Sequence, residues 1–201
     1  MIDIVIPKNN EEDFVAIAEK LGYKGLCFLY NYNDYLNKQK NFETKKIKIY
    51  RGVLAENKNI NKIKSKPKNE KVFVVVRSSS DDRKIIEGSK AHMIFSFEDN
   101  IKRDFIHQRA SGLNHILCKL ANENNIIMGF SLSSILNTEN KHVILGRIAQ
   151  NIKMCRKFKV KTAIASFAKN PYEMKSTHDI SSLFYILGFK NPLFLREQDI
   201  E

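Results

Sequence analysis

Ile2-Asp-Ile-Val-Ile6-Pro7, the helix-patterned stretch behind it, and Gly25-Leu-Cys-Phe-Leu-Tyr30 together decide the fold. The first run is short, β-branched and apolar and stops at a proline, which reads as a buried strand. Asn10 stands where a helix cap belongs, and Glu11, Glu12 and Asp13 suit the positive end of a helix dipole. Phe14, Ile17, Ala18 and Leu21 then recur at i, i+3, i+4 and i+7, and Gly22 stops the helix. The second apolar run follows at once. Strand, helix, strand with short joints makes a parallel βαβ unit.

The same alternation continues outward along the chain. Strands are expected at 46–54, 71–77, 92–97, 125–130 and 162–166. Helices are expected at 81–87, stopped by Gly88, and around Leu113, Ile116, Leu117 and Leu120, with Ser111 as cap. The longest helix is expected at 143–158, its core face made of Leu145, Ile148, Ala149, Ile152 and Cys155. Ile180, Leu183, Phe184 and Leu187 mark a last helix closed by Gly188. The polar segment 31–45 reads as loop or short helix, and 57–67 as a basic connector. Leu21-Gly-Tyr-Lys-Gly-Leu-Cys-Phe-Leu29 is echoed by Leu187-Gly-Phe-Lys-Asn-Pro-Leu-Phe-Leu195. If the second apolar run, 193–195, is also a strand, the chain holds about eight βα units, a compact barrel. The expectation is therefore a single α/β barrel domain over residues 1–201 with seven to eight mostly parallel strands. An open doubly wound sheet is the alternative, but no G-x-G-x-x-G follows any strand, which removes a dinucleotide site.

The chain has 201 residues, 43% of them hydrophobic and 10% aromatic, enough for a packed core. Its apolar runs, such as 72–76, fall far short of the roughly 18–20 residues of a membrane span. The N-terminal stretch carries an acid and no basic n-region, unlike a signal peptide. Three scattered cysteines, Cys27, Cys118 and Cys155, suit a reducing compartment. A soluble cytoplasmic protein is expected. Net charge is +12, and it is segregated. Residues 38–71 carry +9 and residues 141–175 carry +8, which leaves −5 for the rest. Two basic blocks on a mildly acidic body point to a polyanion, with nucleic acid first, against the plainer reading of a lysine-rich solvated surface.

Enzymatic chemistry finds little support. The histidines, His92, His107, His115, His142 and His178, include no H-x-H or H-x-x-x-H pair suited to a metal. Ser78-Ser-Ser-Asp81 reads as a helix cap cluster before it reads as a phosphate cradle. There is no G-x-S-x-G elbow and no P-loop. Two stretches differ. Arg109-Ala-Ser-Gly-Leu-Asn-His115 places a cation, an amide and an imidazole at a helix entrance. On the long helix, at 100° per residue, Arg147, Gln150, Met154 and Lys157 fall opposite Leu145 and Ile152. Arg156, Lys159 and Lys161 carry the basic track onward. Glu173 is the single acid between 141 and 175, whereas a solvated face usually mixes both signs.

His107-Gln-Arg-Ala-Ser-Gly-Leu-Asn-His-Ile-Leu117, Ile127-Met-Gly-Phe-Ser131, Leu145-Gly-Arg-Ile-Ala-Gln-Asn-Ile152, Ala165-Ser-Phe-Ala168 and Pro171-Tyr-Glu-Met174 carry a family likeness. In this order and spacing they resemble the ribonuclease P protein component 3 family, the thirty-kilodalton subunit shared by archaeal and eukaryotic enzymes. The resemblance implies a TIM-like (β/α) barrel related to the polymerase-and-histidinol-phosphatase superfamily. It implies an endonucleolytic ribonucleoprotein that removes the 5′ leader of precursor tRNA. There the RNA subunit performs the hydrolysis with Mg²⁺, and the protein supports the RNA. The implied partners are the catalytic RNA, component 2 as a direct pair, other small subunits, and precursor tRNA as substrate of the whole enzyme. Metalloenzymes of the superfamily open with H-x-H at the end of strand one, where this chain has Asp3-Ile-Val-Ile-Pro7. No catalytic residue, metal ligand or cofactor is therefore expected of this chain. The residues expected to touch RNA are Arg109, Asn114, His115, Lys119, Arg147, Lys153, Arg156, Lys157, Lys159 and Lys161.

Overall fold

The computed structural model describes residues 1–37, 46–55, 60, 72–100 and 103–200. The expected connector at 57–67 and the end of segment 31–45 lie outside the described residues, Ile60 apart. Seven strands, β1 (Ile2–Val5), β2 (Gly25–Tyr30), β3 (Lys48–Ala55), β4 (Phe73–Arg77), β5 (Met93–Phe95), β6 (Ile127–Ser131) and β7 (Thr162–Ala165), form one sheet. They stand in sequence order, and each pairs in parallel with the next. Helices α1 (Glu11–Lys20), α2 (Tyr32–Asn37), α3 (Asp82–Glu87), α4 (His115–Glu123), α5 (Leu132–Leu136), α6 (Lys141–Lys157) and α7 (Thr177–Ile186) are the described α-helices. Because every connection must return the chain to the same end, all αβ connections lie at one end of the sheet and all βα connections at the other.

Side chains alternate across the strands. Phe73 and Val75 point into the barrel with Ile4, Leu29, Met93, Phe95 and Phe167, while Val74, Val76, Phe28 and Ile94 face the helices. Phe95 and Phe167 stack face to face at 4.0 Å between ring centres. Gly129 makes room beside them, since a Cβ there would lie 3.0 Å from both Met93 Sδ and Phe95 Cβ.

The seam between β1 and β7 is closed in two ways. Toward the C-terminal end of the strands, Phe167 N–H donates to the Ile4 carbonyl and Ile6 N–H to the Ala168 carbonyl, both at 2.8 Å. The Ser166 N–H donates to Asp3 Oδ1 at 2.7 Å. Toward the other end the segment 193–195 wedges in. Ile164 N–H donates to the Leu193 carbonyl at 2.8 Å and Ile2 N–H to the Leu195 carbonyl at 3.3 Å. The run expected as an eighth strand is thus a plug with one antiparallel bridge, Ile2 to Leu195. Proline at 192 and the tight turn at 197–199 leave it no length to pair as a strand.

The other differences are local. A further helix, α5, follows directly after β6 and, at five residues, is too short to show a period. The cap of α4 is Asn114: its Oδ1 accepts from Ile116 N–H at 3.0 Å and Leu117 N–H at 2.9 Å. Ser111, expected in that role, is buried upstream. Asn10 flanks α1 but accepts from Lys8 N–H and leaves the helix uncapped by its side chain.

Candidate nucleic-acid interface

The buried face of α6 is Ile144, Arg147, Ile148, Asn151, Ile152 and Cys155. Arg147, expected among the surface cations, is 2% exposed. Its Nε donates to Asp104 Oδ1 at 2.8 Å and its Nη1 to the Glu98 carbonyl at 2.8 Å. Asn151, one helical turn on, donates to the Ser111 carbonyl at 2.9 Å. Two polar groups on the inner face of α6 therefore hold the 96–114 connection down at three points. A buried cation needs a counter-charge, which Asp104 supplies here, and the Glu98 carbonyl takes a second donor while Nη2 stays buried without a hydrogen bond. Arg147 is consequently a fastener and not a phosphate contact. Periodicity placed it outward because the inner face of α6 is only partly apolar.

The Ala110 N–H at 2.9 Å, and then the guanidinium groups of Arg147 and Arg109, hold the Asp104 carboxyl below the usual carboxylate range. Arg109 Nη1 lies 4.0 Å from Asp104 Oδ2, and its side chain remains 48% exposed. It rests on Gly146 of α6, where a Cβ would come within 2.2 Å of the guanidinium. Gly112 has φ +80°, and a Cβ on it would sit 2.1 Å from the Phe97 carbonyl oxygen. The Arg109-to-His115 stretch is thus a built turn that shows Arg109, His115 and Lys119 to solvent. Asn114 spends its oxygen on the cap.

Of the remaining expected contacts, Lys153, Arg156 and Lys157 are exposed on α6, and Lys159 and Lys161 on the turn that follows. Arg156 Nη1 is 3.4 Å from the Gly188 carbonyl, Lys157 stands 5.7 Å over the Phe158 ring, and Lys161 pairs with Asp199 at 2.5 Å. The structure therefore divides the expected set. Arg109, His115 and Lys119 go with the βα end and α4, Lys153 to Lys157 with the outer side of α6, and Lys159 and Lys161 with the αβ end.

At the C-terminal mouth of the barrel, where barrel enzymes keep their chemistry, a cavity of about 350 Å³ opens. Ile6, Phe95 and Phe167 line it together with Arg77, Asp99, Ser131 and Ser134. Arg77 Nη2 pairs with Asp99 at 2.9 Å, and Ser134 donates to the same carboxylate at 3.1 Å. A metal of the kind that related barrel enzymes hold, as the resemblance implies, does not fit this donor set. Asp99, the one carboxylate lining the mouth among the described residues, is taken up by a cation and a hydroxyl. No group of three His, Cys, Asp or Glu side chains is placed to hold an ion among the described residues. Glu98 lies buried next to Asp99 at 1% exposure, its Oε1 without a donor. No helix of the described residues is long and apolar enough to cross a membrane.

Comparison with known proteins gives these features a family. A protein from Methanocaldococcus jannaschii named ribonuclease P protein component 3 is 22% identical over 204 residues, spanning 96% of this chain and 85% of its own. The protein of the same name from Methanococcus vannielii is 25% identical over 195 residues, 91% of this chain and 79% of its own. Among solved structures, a chain of archaeal ribonuclease P with mature tRNA matches with TM-score 0.73 at 21% identity, covering 94% of this chain and 83% of that one. A Lactococcus lactis histidinol phosphate phosphatase, complexed with zinc, L-histidinol and phosphate, matches with TM-score 0.63 at 9% identity over 95% of each chain. At such identities the structural likeness speaks for the barrel. The model of the family described as RNase P subunit p30 matches residues 1–192. The chain belongs to the RNase P subunit p30 family.

Proposed function

We propose that this chain is a protein subunit of ribonuclease P that supports the catalytic RNA while the RNA hydrolyses the phosphodiester joining the 5′ leader to precursor tRNA. The observation that carries the reading is the family match over residues 1–192. The mouth chemistry supports it: the site where a barrel hydrolase would place metal ligands holds an arginine–aspartate pair and a phenylalanine stack. The chain contributes no reacting group. Folding a large RNA brings phosphates together, and fixed Lys and Arg side chains screen that repulsion without needing to be concentrated from solution. Mg²⁺ then serves the RNA, and the chain binds none itself. Arg109, His115 and Lys119, from the 109–115 stretch and the helix it enters, and Lys153, Arg156, Lys157, Lys159 and Lys161, from the second basic block, are the proposed contacts. Component 2 is the proposed direct protein partner, precursor tRNA the substrate of the assembled enzyme, and the cytoplasm its place of work.

Reconstitution on precursor tRNA, with RNA and partner subunits present and this chain left out, tests the proposal. Omission is expected to raise the Mg²⁺ concentration needed for cleavage, and Arg109→Glu to raise it part of the way. Cleavage with the same Mg²⁺ dependence with and without the chain would end the reading. Stoichiometric zinc, manganese or iron in the purified protein, with phosphoesterase activity, would favour the metalloenzyme alternative instead.

A further inference from the structure

We infer that the αβ end of this barrel, the N-terminal end of the strands, is an RNA-docking face in addition to the Arg109–Lys119 side, centred on the groove between the β1–β3 starts and the 193–200 segment. The inference rests on the subunit reading above and goes on to name the face. Among the described residues, the connections entering strands and the segment after α7 carry Lys24, Lys46, Lys90, Lys159, Lys161, Lys190 and Arg196 against two acids, Glu197 and Asp199. Among the described residues, the connections leaving strands, with the α5–α6 turn, carry five cations, Lys8, Arg103, Arg109, Lys169 and Lys175. They oppose six acids, Asp81, Glu98, Asp99, Asp104, Glu139 and Glu173. One end is nearly one-signed and the other is balanced. A solvated surface has no reason to sort charge by barrel end, whereas a polyanion partner does.

One described lysine from each basic block reaches the same turn at this end. Lys48, from the first block, pairs with Glu197 at 2.6 Å. Lys161, from the second, pairs with Asp199 at 2.5 Å. Both acids sit on the same turn, 197–199, so the two acids that the described strand-entering connections and the 187–200 segment carry are spent on one lysine from each block. Around the arc the order is β7, the 193–195 plug, β1, β2 and β3. Between them lies a groove of about 660 Å³ lined by Lys24, Lys46, Lys48, Tyr50 and Arg196. Its volume is that of a nucleotide-sized site, and Tyr50 gives it an aromatic wall. Charge, shape and an aromatic side chain together suit a phosphodiester strand, and the aromatic wall, on which a base can stack, selects RNA over an anionic protein.

The test compares two triple reversals in the full chain, assembled with the other subunits on a transcript of the organism's ribonuclease P RNA. Lys24→Glu, Lys46→Glu and Arg196→Glu alter the groove. Lys8→Glu, Lys169→Glu and Lys175→Glu alter the other end by the same charge. Lys48 and Lys161 stay, because they hold the turn. The groove variant is expected to bind RNA about ten-fold or more weakly and to lose roughly 2–3 from the slope of log affinity against log salt. The other triple is expected to stay within about two-fold of wild type. Thermal melting verifies folding; if the groove variant melts early, the glutamine triple at the same positions replaces it and is expected to weaken binding in the same direction. Equal weakening by both triples, or greater weakening by the second, overturns the assignment of the face while the subunit reading stands. Absence of RNA binding by the wild-type chain in the complex overturns the subunit reading itself.

Discussion

Glu98 is a carboxylate folded away from water with Oε1 lacking a donor, and burial pushes its pKa up to about 7. Asp3, fully buried in β1, is pushed up to about 6 by the same cause, although Ser166 and Ile4 N–H groups bond to it. A raised folded-state pKa means the native state binds protons more tightly than the unfolded chain. Stability from these groups is therefore present below their ordinary values near 4 and is lost as pH rises toward 6 and 7. Glu98→Gln should remove its share of that fall, making the variant more stable than wild type at pH 8 by on the order of 3 kcal/mol and no more stable at pH 4. Urea unfolding midpoints at both pH values measure it, and parallel pH curves would refute it. Arg147 gives the opposite case. Arg147→Met strips the Glu98 carbonyl of its donor and Asp104 of its partner, and should cost about 2–4 kcal/mol in the same assay. Arg147→Lys, with a single ammonium for two acceptors 2.8 Å from different nitrogens of the fork, should recover only part. Neither role was legible in the sequence. Burial of a lone Glu or Arg depends on which connection folds over it, and hydropathy counts both as surface.

The connection from β5 to α4 is an element in its own right, held by side chains of α6. Its shape depends on Gly112, whose positive φ and contact with the Phe97 carbonyl admit no side chain. Gly112→Ala should cost about 2–4 kcal/mol and lift the segment 103–110 off α6. Limited proteolysis would then cut the variant within that segment before wild type, and uncut variant at the wild-type rate would show that the turn has other support. Gly146→Ala works differently, since the new methyl meets the movable end of Arg109. Helix propensity gains up to about 1 kcal/mol, so melting should hold while Arg109 is displaced, and the Mg²⁺ requirement should rise as it does for Arg109→Glu. The elements themselves were largely legible. β2 was read at 25–30 and stands there, because a parallel strand buried on both faces is a continuous apolar run between glycines and turns. The phase of α6 was not. Arg147 and Asn151 occupy its inner face for the sake of the connection they hold, so the apolar stripe read through Leu145 and Ala149 is rotated by roughly a residue from the buried one through Ile144 and Asn151.

At the scale of the whole barrel, closure is uneven, and that unevenness ties stability to the inferred docking face. The upper seam is backbone to backbone between β1 and the end of β7. The lower seam exists only because residues 193–200 fill it, with Phe194, Leu195 and Ile200 buried at 5%, 1% and 9% exposure. Burying three such side chains contributes about 1.5–3 kcal/mol each, a sum comparable with the whole net stability of a domain. Removing residues 191–201 should thus expose the Ile2 and Ile164 N–H groups and the interior, giving a chain that binds a hydrophobic dye and melts without a sharp transition. The same deletion takes away Arg196 and frees Lys48 and Lys161 from Glu197 and Asp199, so its effect on RNA affinity would be uninterpretable by itself. Glu197→Gln separates the two roles. It keeps the plug and the Tyr50 hydroxyl's acceptor but releases Lys48 from its 2.6 Å ion pair. Loss of an exposed pair is expected to leave the melting temperature nearly unchanged, while one acid fewer beside the groove should tighten RNA binding about two- to five-fold at low salt, with the gain fading as salt rises. Tighter binding that is independent of salt, or weaker binding at unchanged melting temperature, would show that Glu197 does not act on the RNA through charge.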